Sequence, residues 1–267
     1  MKAIASRDNP KYKELKRLAR HASARRTTHG AILEGIHLCE AFLQSSGVPV
    51  VCALSRSAEH NAEVAEIVTA LTKRLAARDI LLIDDALFAS LSQVERGVGI
   101  LFAIDVPRQA APERIDHSCV LLDRIQDPGN LGSILRSAAA AGMQHVYASR
   151  LSVDAWSPKV LRAGMGAHFA LQVVEDCDLD ALLSRVSIPL VATDSHAHET
   201  IFDADLGAEI AWLFGNEGQG VAPALAARAR ALRIPQPGGL ESLNVAAAAA
   251  ICFFEQVRQR AQRTGGA

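Results

Sequence analysis

The sequence predicts an α/β fold built on a mostly parallel sheet, and three observations carry that prediction. Short apolar runs of strand length recur from Cys119 onward. Helical stretches separate them, several rich in alanine. Turns rich in glycine and proline follow some of the runs. Strands that alternate with helices run parallel, because each helix returns the chain to the same end of the sheet, and both faces are then covered. In such sheets ligands lie beyond the carboxyl ends of the strands.

The order of elements divides the chain. Residues 1–106 read as a smaller N-terminal α/β domain, residues 107–117 with Pro107 and Pro112 as a linker, and residues 118–267 as the second domain. In the first, Asn9-Pro10 predicts a helix start, since proline in the first turn gives up no hydrogen bond. Leu15 and Leu18 supply its apolar stripe, and Lys11, Lys13, Lys16, Arg17 and Arg20 stay in water. A second helix is predicted over Leu33–Ser45, a strand over Val48–Leu54 and a helix over Asn61–Ala77. Strands over Ile80–Ile83 and Val98–Ile104 flank a short helix at Ala86–Leu91.

In the second domain the strands are predicted at Cys119–Asp123, His145–Ala148, Ala170–Val174, Leu190–Thr193, Ile210–Phe214 and Leu232–Ile234. Helices fall at Leu131–Ala141, Pro158–Ala163, Leu179–Arg185, Pro223–Ala229 and from about Leu243 to Arg260. Trp156 and Trp212 read as packing residues.

Composition narrows the function classes. Within 267 residues, 49% hydrophobic and 21% charged residues describe a globular chain, and no uncharged run is long enough to span a bilayer. The five cysteines are far apart with no CxxC pair, so they read as buried thiols of a reducing compartment, and the cytoplasm follows. His196 and His198 lack further ligands at metal-binding spacing. Residues 1–30 hold nine cations and two anions although the whole chain carries −1, so a basic element is set up to meet a polyanion.

The chemistry is sought in the loops after strands. After Asp123, Asn130 is placed to cap the next helix, and Arg136 near that helix start could hold a phosphate. After Phe214, Gly215-Asn216-Glu217-Gly218-Gln219-Gly220 lets backbone approach a ligand, and Glu217 is an acid at a strand end. After Ile234, Ser242 is placed to cap the last helix, with Asn244 in its first turn.

In this order, LLDRIQDPGNLGSILRSAAAAG (121–142), AWLFGNEGQGV (211–221) and LRIPQPGGLESLNVAAAAAICFFE (232–255) resemble the three signature motifs of the SpoU (TrmH-like) RNA methyltransferases of the SPOUT superfamily. SRDNPKYKELKRL (6–18) and RRTTHGAILEGIHLCEAF (25–42) resemble more loosely the family's RNA substrate-binding domain. The resemblance implies a catalytic domain with a deep trefoil knot that forms the S-adenosylmethionine pocket, and a homodimer around it. It implies methylation of a ribose 2′-oxygen, on ribosomal RNA rather than transfer RNA, with no metal.

By the same resemblance Arg136 lies beside the attacking hydroxyl, with Asn130, Asn244, Glu217 and Ser242 holding it and the ribose. Guanidinium stays protonated, so Arg136 is expected to orient a phosphate and stabilise the forming alkoxide. The donor is expected on Gly215, Ile234 and Leu243, with Thr193, Asn216, Gly218 and Gln236 nearby. Lys11, Lys13, Arg25 and Arg26 are the candidates for RNA phosphates. The rival reading is a catalytically silent RNA-binding or ribosome-assembly factor of the same fold. Ala246 after Asn244-Val245 departs from the small polar residue usual there but keeps the packing.

Overall fold

The computed structural model describes residues 1–94, 97–239 and 241–264. The chain forms two compact units: Met1–Arg108 with Trp156–Phe169, and Gln109–Ala155 with Ala170–Ala267.

The first unit holds β1 (Lys2–Ile4), α1 (Pro10–Arg20), α2 (Ala22–Thr28), β2 (Gly30–Glu34), α3 (Ile36–Gln44), β3 (Val51–Ser55), α4 (Ala62–Leu71), β4 (Ile80–Ile83), α5 (Asp85–Leu91) and β5 (Ile100–Asp105). The sheet order is β1-β4-β3-β5-β2, with β5 antiparallel to both neighbours. Asn9 caps α1, its side chain accepting from the Lys11 N–H at 3.0 Å, and Pro10 follows. Tyr12, Leu15, Leu18 and Ala19 are the face that α1 buries.

The helix expected over Leu33–Ser45 is in fact a strand and a helix. All five residues of β2 are buried, Gly35 turns the chain at φ +95°, and α3 starts at Ile36. A strand buried on both faces shows no alternation, so its apolar run merges with a following helical pattern. The helix expected to reach Ala77 stops at Leu71. β1 is three residues long, too short to show a period.

The second unit holds β6 (Cys119–Leu122), α6 (Pro128–Ala140) and β7 (His145–Ser149). α7 (Pro158–Gly164) comes next in the chain but groups with the first unit, where it packs on β2. The second unit then continues with β8 (Gln172–Cys177), α8 (Leu179–Leu183), β9 (Leu190–Thr193), β10 (Ala211–Phe214), α9 (Pro223–Ala226), β11 (Arg230–Leu232) and α10 (Val245–Thr264). Among the described residues its sheet has the order β11-β9-β10-β6-β7-β8, and every pairing is parallel.

Both faces of that sheet are covered, as a parallel sheet requires. Leu121, Leu213 and Tyr147 pack with Leu179, Leu182 and Leu183 of α8 and Leu225 of α9. Trp212 and Phe214 meet α10: the Trp212 indole N–H donates to Gln256 Oε1 at 2.8 Å, and the Phe214 and Phe253 rings meet edge-on at 5.6 Å. Trp212 is therefore a core residue, 0% exposed. α10 packs on α6, and its alanine run permits close approach.

All five cysteines are free and buried. Burial pushes the Cys52 and Cys119 thiols up to about 12 and Cys177 to about 11, so none of these three is a thiolate near neutrality. Among the described residues no helix is long and apolar enough to cross a membrane.

Candidate active site

Strand order gathers the loops. From β6 the chain steps outward to β7 and β8, then returns to build β9, β10 and β11 on the other side. The order reverses between β6 and β10, and at such a break the loops at the carboxyl ends part to leave a crevice. The loops after β6, β9, β10 and β11 all end there, because these four strands are parallel neighbours.

The loop after β10 is drawn tight by its own polar groups. Gly220 N–H donates to the Asn216 carbonyl at 2.8 Å, and Asn216 Oδ1 accepts from the Gly218 and Gln219 N–H groups, each at 3.0 Å. A Cβ on Gly215 would lie 2.1 Å from the backbone of Gly220 and Val221, so only glycine fits there. Asn216 Nδ2 donates to the Arg124 carbonyl at 3.0 Å, joining this loop to the one after β6.

Glu217 makes the second junction. Its carboxylate accepts from the Gln126 N–H at 3.2 Å, the Asp127 N–H at 3.0 Å and Asn130 Nδ2 at 3.1 Å. Burial alone would push this carboxyl up. The hydrogen bonds from Asp127, Asn130 and Gln126 outweigh it and hold Glu217 below the ordinary glutamate value. Glu217 is thus an anion at neutral pH, an acceptor beside the N-terminus of α6, where the helix dipole favours negative charge.

Two expected caps are corrected. Asp127, not Asn130, caps α6: its Oδ1 accepts from the Asn130 N–H at 2.9 Å, and Pro128 takes the first helical position. Asn244, not Ser242, sits at the start of α10, its Oδ1 accepting from the Ala246 and Ala247 N–H groups at 3.0 and 3.2 Å. Asn244 Nδ2 donates to Asn130 Oδ1 at 2.8 Å. Glu217, Asn130, Asn244 and the first N–H groups of α10 therefore form one continuous chain of hydrogen bonds.

Arg136 is not in that chain. It is exposed on α6, six residues and about 9 Å of helix rise beyond Asn130. Its side chain has no hydrogen bond or ion pair among the described residues. Asn130 and Asn244 thus hold each other, and Asn130 holds Glu217, while neither amide bonds the expected Arg136 among the described residues. Ser242 is exposed and likewise outside the network.

Beside this frame lies a cavity of about 430 Å³. Its lining includes every expected donor residue: Thr193, Gly215, Asn216, Gly218, Ile234, Gln236 and Leu243. Glu217 and Ser242 also reach it. Asp194, Gln219 and Ala248 line it without having been singled out. Leu240, within the third motif, lies outside the described residues. Gln236 Oε1 is buried with no hydrogen-bond partner among the described residues, an acceptor that a ligand amino group would satisfy. The volume suits a nucleoside-sized ligand, and the Gly215 turn gives it a backbone wall.

The basic candidates of the first unit divide. Arg25 is buried, 8% exposed, and its guanidinium donates to the Leu18 carbonyl at 2.9 Å, tying α2 to α1. That geometry removes Arg25 from the expected phosphate contacts. Lys11 pairs with Asp79, and Lys13 pairs with exposed Asp8 at 2.8 Å. Arg26 is exposed. Glu34 is buried and accepts from the Gln93 N–H at 3.0 Å, a structural role.

Comparison with known proteins now decides the family. The SpoU rRNA Methylase family matches residues 117–254. The chain belongs to that family. It is 31% identical to the 23S rRNA (guanosine(2553)-2′-O)-methyltransferase RlmP of Bacillus subtilis, over 95% of this chain and 98% of that one. A solved RNA 2′-O ribose methyltransferase superimposes with a TM-score of 0.80 at 30% identity, covering 97% of this chain and 99% of that chain. The SpoU methyltransferase AviRb of Streptomyces viridochromogenes, solved with the cofactor AdoMet, superimposes with a TM-score of 0.84 at 25% identity, over 95% and 98% of the two chains. The mixed α/β fold is that of these SPOUT methyltransferases, and S-adenosylmethionine is the family's cofactor.

Proposed function

We propose that the second unit transfers a methyl group from S-adenosylmethionine to a ribose 2′-oxygen of ribosomal RNA, and that the first unit holds the RNA. One observation carries the reading. The cavity lined by all seven donor candidates opens at the break in strand order, beside the Glu217–Asn130–Asn244 chain. The 23S rRNA substrate of RlmP supports ribosomal over transfer RNA.

When bound, S-adenosylmethionine supplies a methyl group on a sulfonium centre whose thioether leaves uncharged. Gln236 Oε1 and the turn at Gly215 would hold the donor, the first as an acceptor for an amino group. Glu217 and Asn130 hold the loops after β6 and β10 in register, so the donor side of the cavity is preorganised. Arg136, a cation without an internal partner among the described residues, orients the neighbouring phosphate and stabilises charge developing on the 2′-oxygen. Lys13 and Arg26 contribute to the RNA grip from the first unit.

A homodimer, a knotted path and a cytoplasmic location belong to the same proposal. Exposed Phe254 and Val257 on α10 support the dimer. The return of the chain from edge strand β11 to pack α10 on α6 supports the knot.

The test is transfer of labelled methyl to ribosomal and transfer RNA from a strain lacking the protein, with nucleoside mapping. Label on a ribose 2′-oxygen of ribosomal RNA is the expected result. Label confined to transfer RNA would move the substrate. Donor binding without label in either pool would favour the RNA-binding factor.

A further inference from the structure

Arg124 is absent from the cavity lining, yet its side chain holds two residues that are part of it. We propose that Arg124 is a positioning residue that clamps the loop Gly215–Gly220 against the end of β6 and thereby sets donor affinity. The inference rests on reading the cavity as the donor site.

The backbone is the first observation. Arg124 has φ +56°, in the left-handed region that glycine enters freely and that a long side chain resists. A simple turn at this point would be served by glycine. An arginine held there points to a use for the side chain.

The side chain is the second. Its Nε lies 3.2 Å from both carboxylate oxygens of Asp123, which is 4% exposed. Nη1 donates to Gln219 Oε1 at 2.9 Å, and Nη2 reaches the Gly220 carbonyl at 3.4 Å. Gln219 and Gly220 both line the cavity. Asp123 completes the grip, its Oδ2 accepting from the Ala222 N–H at 2.9 Å just past the loop. Arg124 is itself fixed: its N–H donates to Ser149 Oγ at 2.8 Å, and its carbonyl accepts from Asn216 Nδ2 at 3.0 Å.

The loop is therefore held at Asn216, Gln219, Gly220 and Ala222 by two consecutive residues after β6. A planar guanidinium can face Asp123 with one edge and the loop with the other. A lysine ammonium is a single point and cannot serve Asp123, Gln219 and Gly220 together. Arg124 touches neither the cavity nor its contents, so its effect passes through the loop. The reacting centre is left to other residues, and the effect falls on donor binding and not on RNA.

The experiment is calorimetric titration of S-adenosylmethionine into the wild-type chain and the variants R124G, R124K, Q219A and R124G/Q219A, with KM for donor and for RNA measured alongside. R124G relieves the left-handed backbone while removing the clamp. Its donor Kd and donor KM are expected to rise about tenfold, the scale of one lost charge-assisted hydrogen bond, with kcat and RNA KM within about twofold of wild type. R124K is expected to weaken donor binding too, and it carries the same test should R124G fail to melt cooperatively. The double variant is expected to bind about as weakly as R124G, because both changes break one connection.

Wild-type donor affinity in folded R124G and R124K would overturn the inference. So would independent, multiplying effects in the double variant, or losses in kcat and RNA KM equal to the loss in donor KM. Absence of donor binding by the wild-type chain would overturn the reading of the cavity itself, and this inference with it.

Discussion

The two units close the carboxyl ends of their strands in different ways. In the first, two acids after β4 join the loop after β3, one through a side chain and the other through a hydroxyl and a single backbone N–H. Arg56 after β3 pairs with Asp84 after β4 at 2.5 Å, and the Ser57 N–H and hydroxyl donate to Asp85 at 3.0 and 2.9 Å. In the second, side-chain pairs such as Asn130–Glu217 are joined by several bonds from a side chain to the backbone of another loop. Glu217 takes the N–H groups of Gln126 and Asp127, and Asn216 takes those of its own turn and gives to the Arg124 carbonyl. Bonds from side chain to backbone pull the loops into a frame and leave the space inside it open. Polar residues at strand ends are thus insufficient to mark a site. What differs is how much main chain they hold: one N–H of Ser57 in the first unit, against the Gln126 and Asp127 N–H groups and the Arg124 carbonyl in the second.

The comparison breaks most sharply at Arg136. Because Arg136 holds nothing in the frame among the described residues, R136A is expected to lower kcat about 10²- to 10³-fold, the scale of losing a transition-state donor, without moving the melting temperature. Undiminished methyl transfer by R136A would take this residue out of the chemistry.

Next comes the frame. G215A forces a Cβ into the Gly220 backbone, so donor binding should vanish and stability should fall by about 1–3 kcal/mol or more in chemical denaturation. Normal donor affinity in G215A would mean that the tight turn does not shape the cavity.

The two acid clamps can be separated by pH. Glu217 is held below the ordinary glutamate value, and hydrogen bonds from Ser57, first its N–H and then its hydroxyl, hold Asp85 below the ordinary aspartate value. Each contributes stability that is present above the unfolded-state pKa and lost as pH falls through the lower folded value. E217Q should flatten part of that acid limb and lower kcat/KM about tenfold. D85N should flatten its own part with donor affinity intact. Loss of donor affinity in D85N would erase the distinction between the units.

The smallest effects concern charge. R25A should destabilise by about 1–3 kcal/mol, since a buried carbonyl loses its donor, and leave the salt dependence of RNA binding unchanged. R26A should do the reverse, with stability kept and the slope of log K against log salt reduced by about 0.7–0.9. Equal slopes for R26A and the wild type would remove Arg26 from the RNA surface.

Much of the second unit was legible. Its strands lie within a few residues of their predicted positions, because apolar runs bounded by glycine and proline leave few alternatives. The first unit was read less well, since β2 is buried on both faces and fuses with α3 into one apolar pattern. The caps were misread for a local reason. Asp127-Pro128 is the ordinary signature of a helix start, and Asn130, three residues on, is the donor to that cap. Arg124 gave no signal, because nothing in the sequence marks an arginine whose backbone is left-handed.

By itself the sequence determined the family, the parallel sheet and seven of the residues that line the cavity. Those follow from local preference: proline fixes the backbone, glycine and asparagine admit turns that other residues resist, and three such segments in order are specific. Only the tertiary structure decided which polar groups meet. Asn130 finds Asn244 across 114 residues, Glu217 finds Asn130 across 87, and Arg136 finds neither. Such meetings depend on β10 lying between β9 and β6, and that order is set by how the whole sheet packs, not by any segment of it.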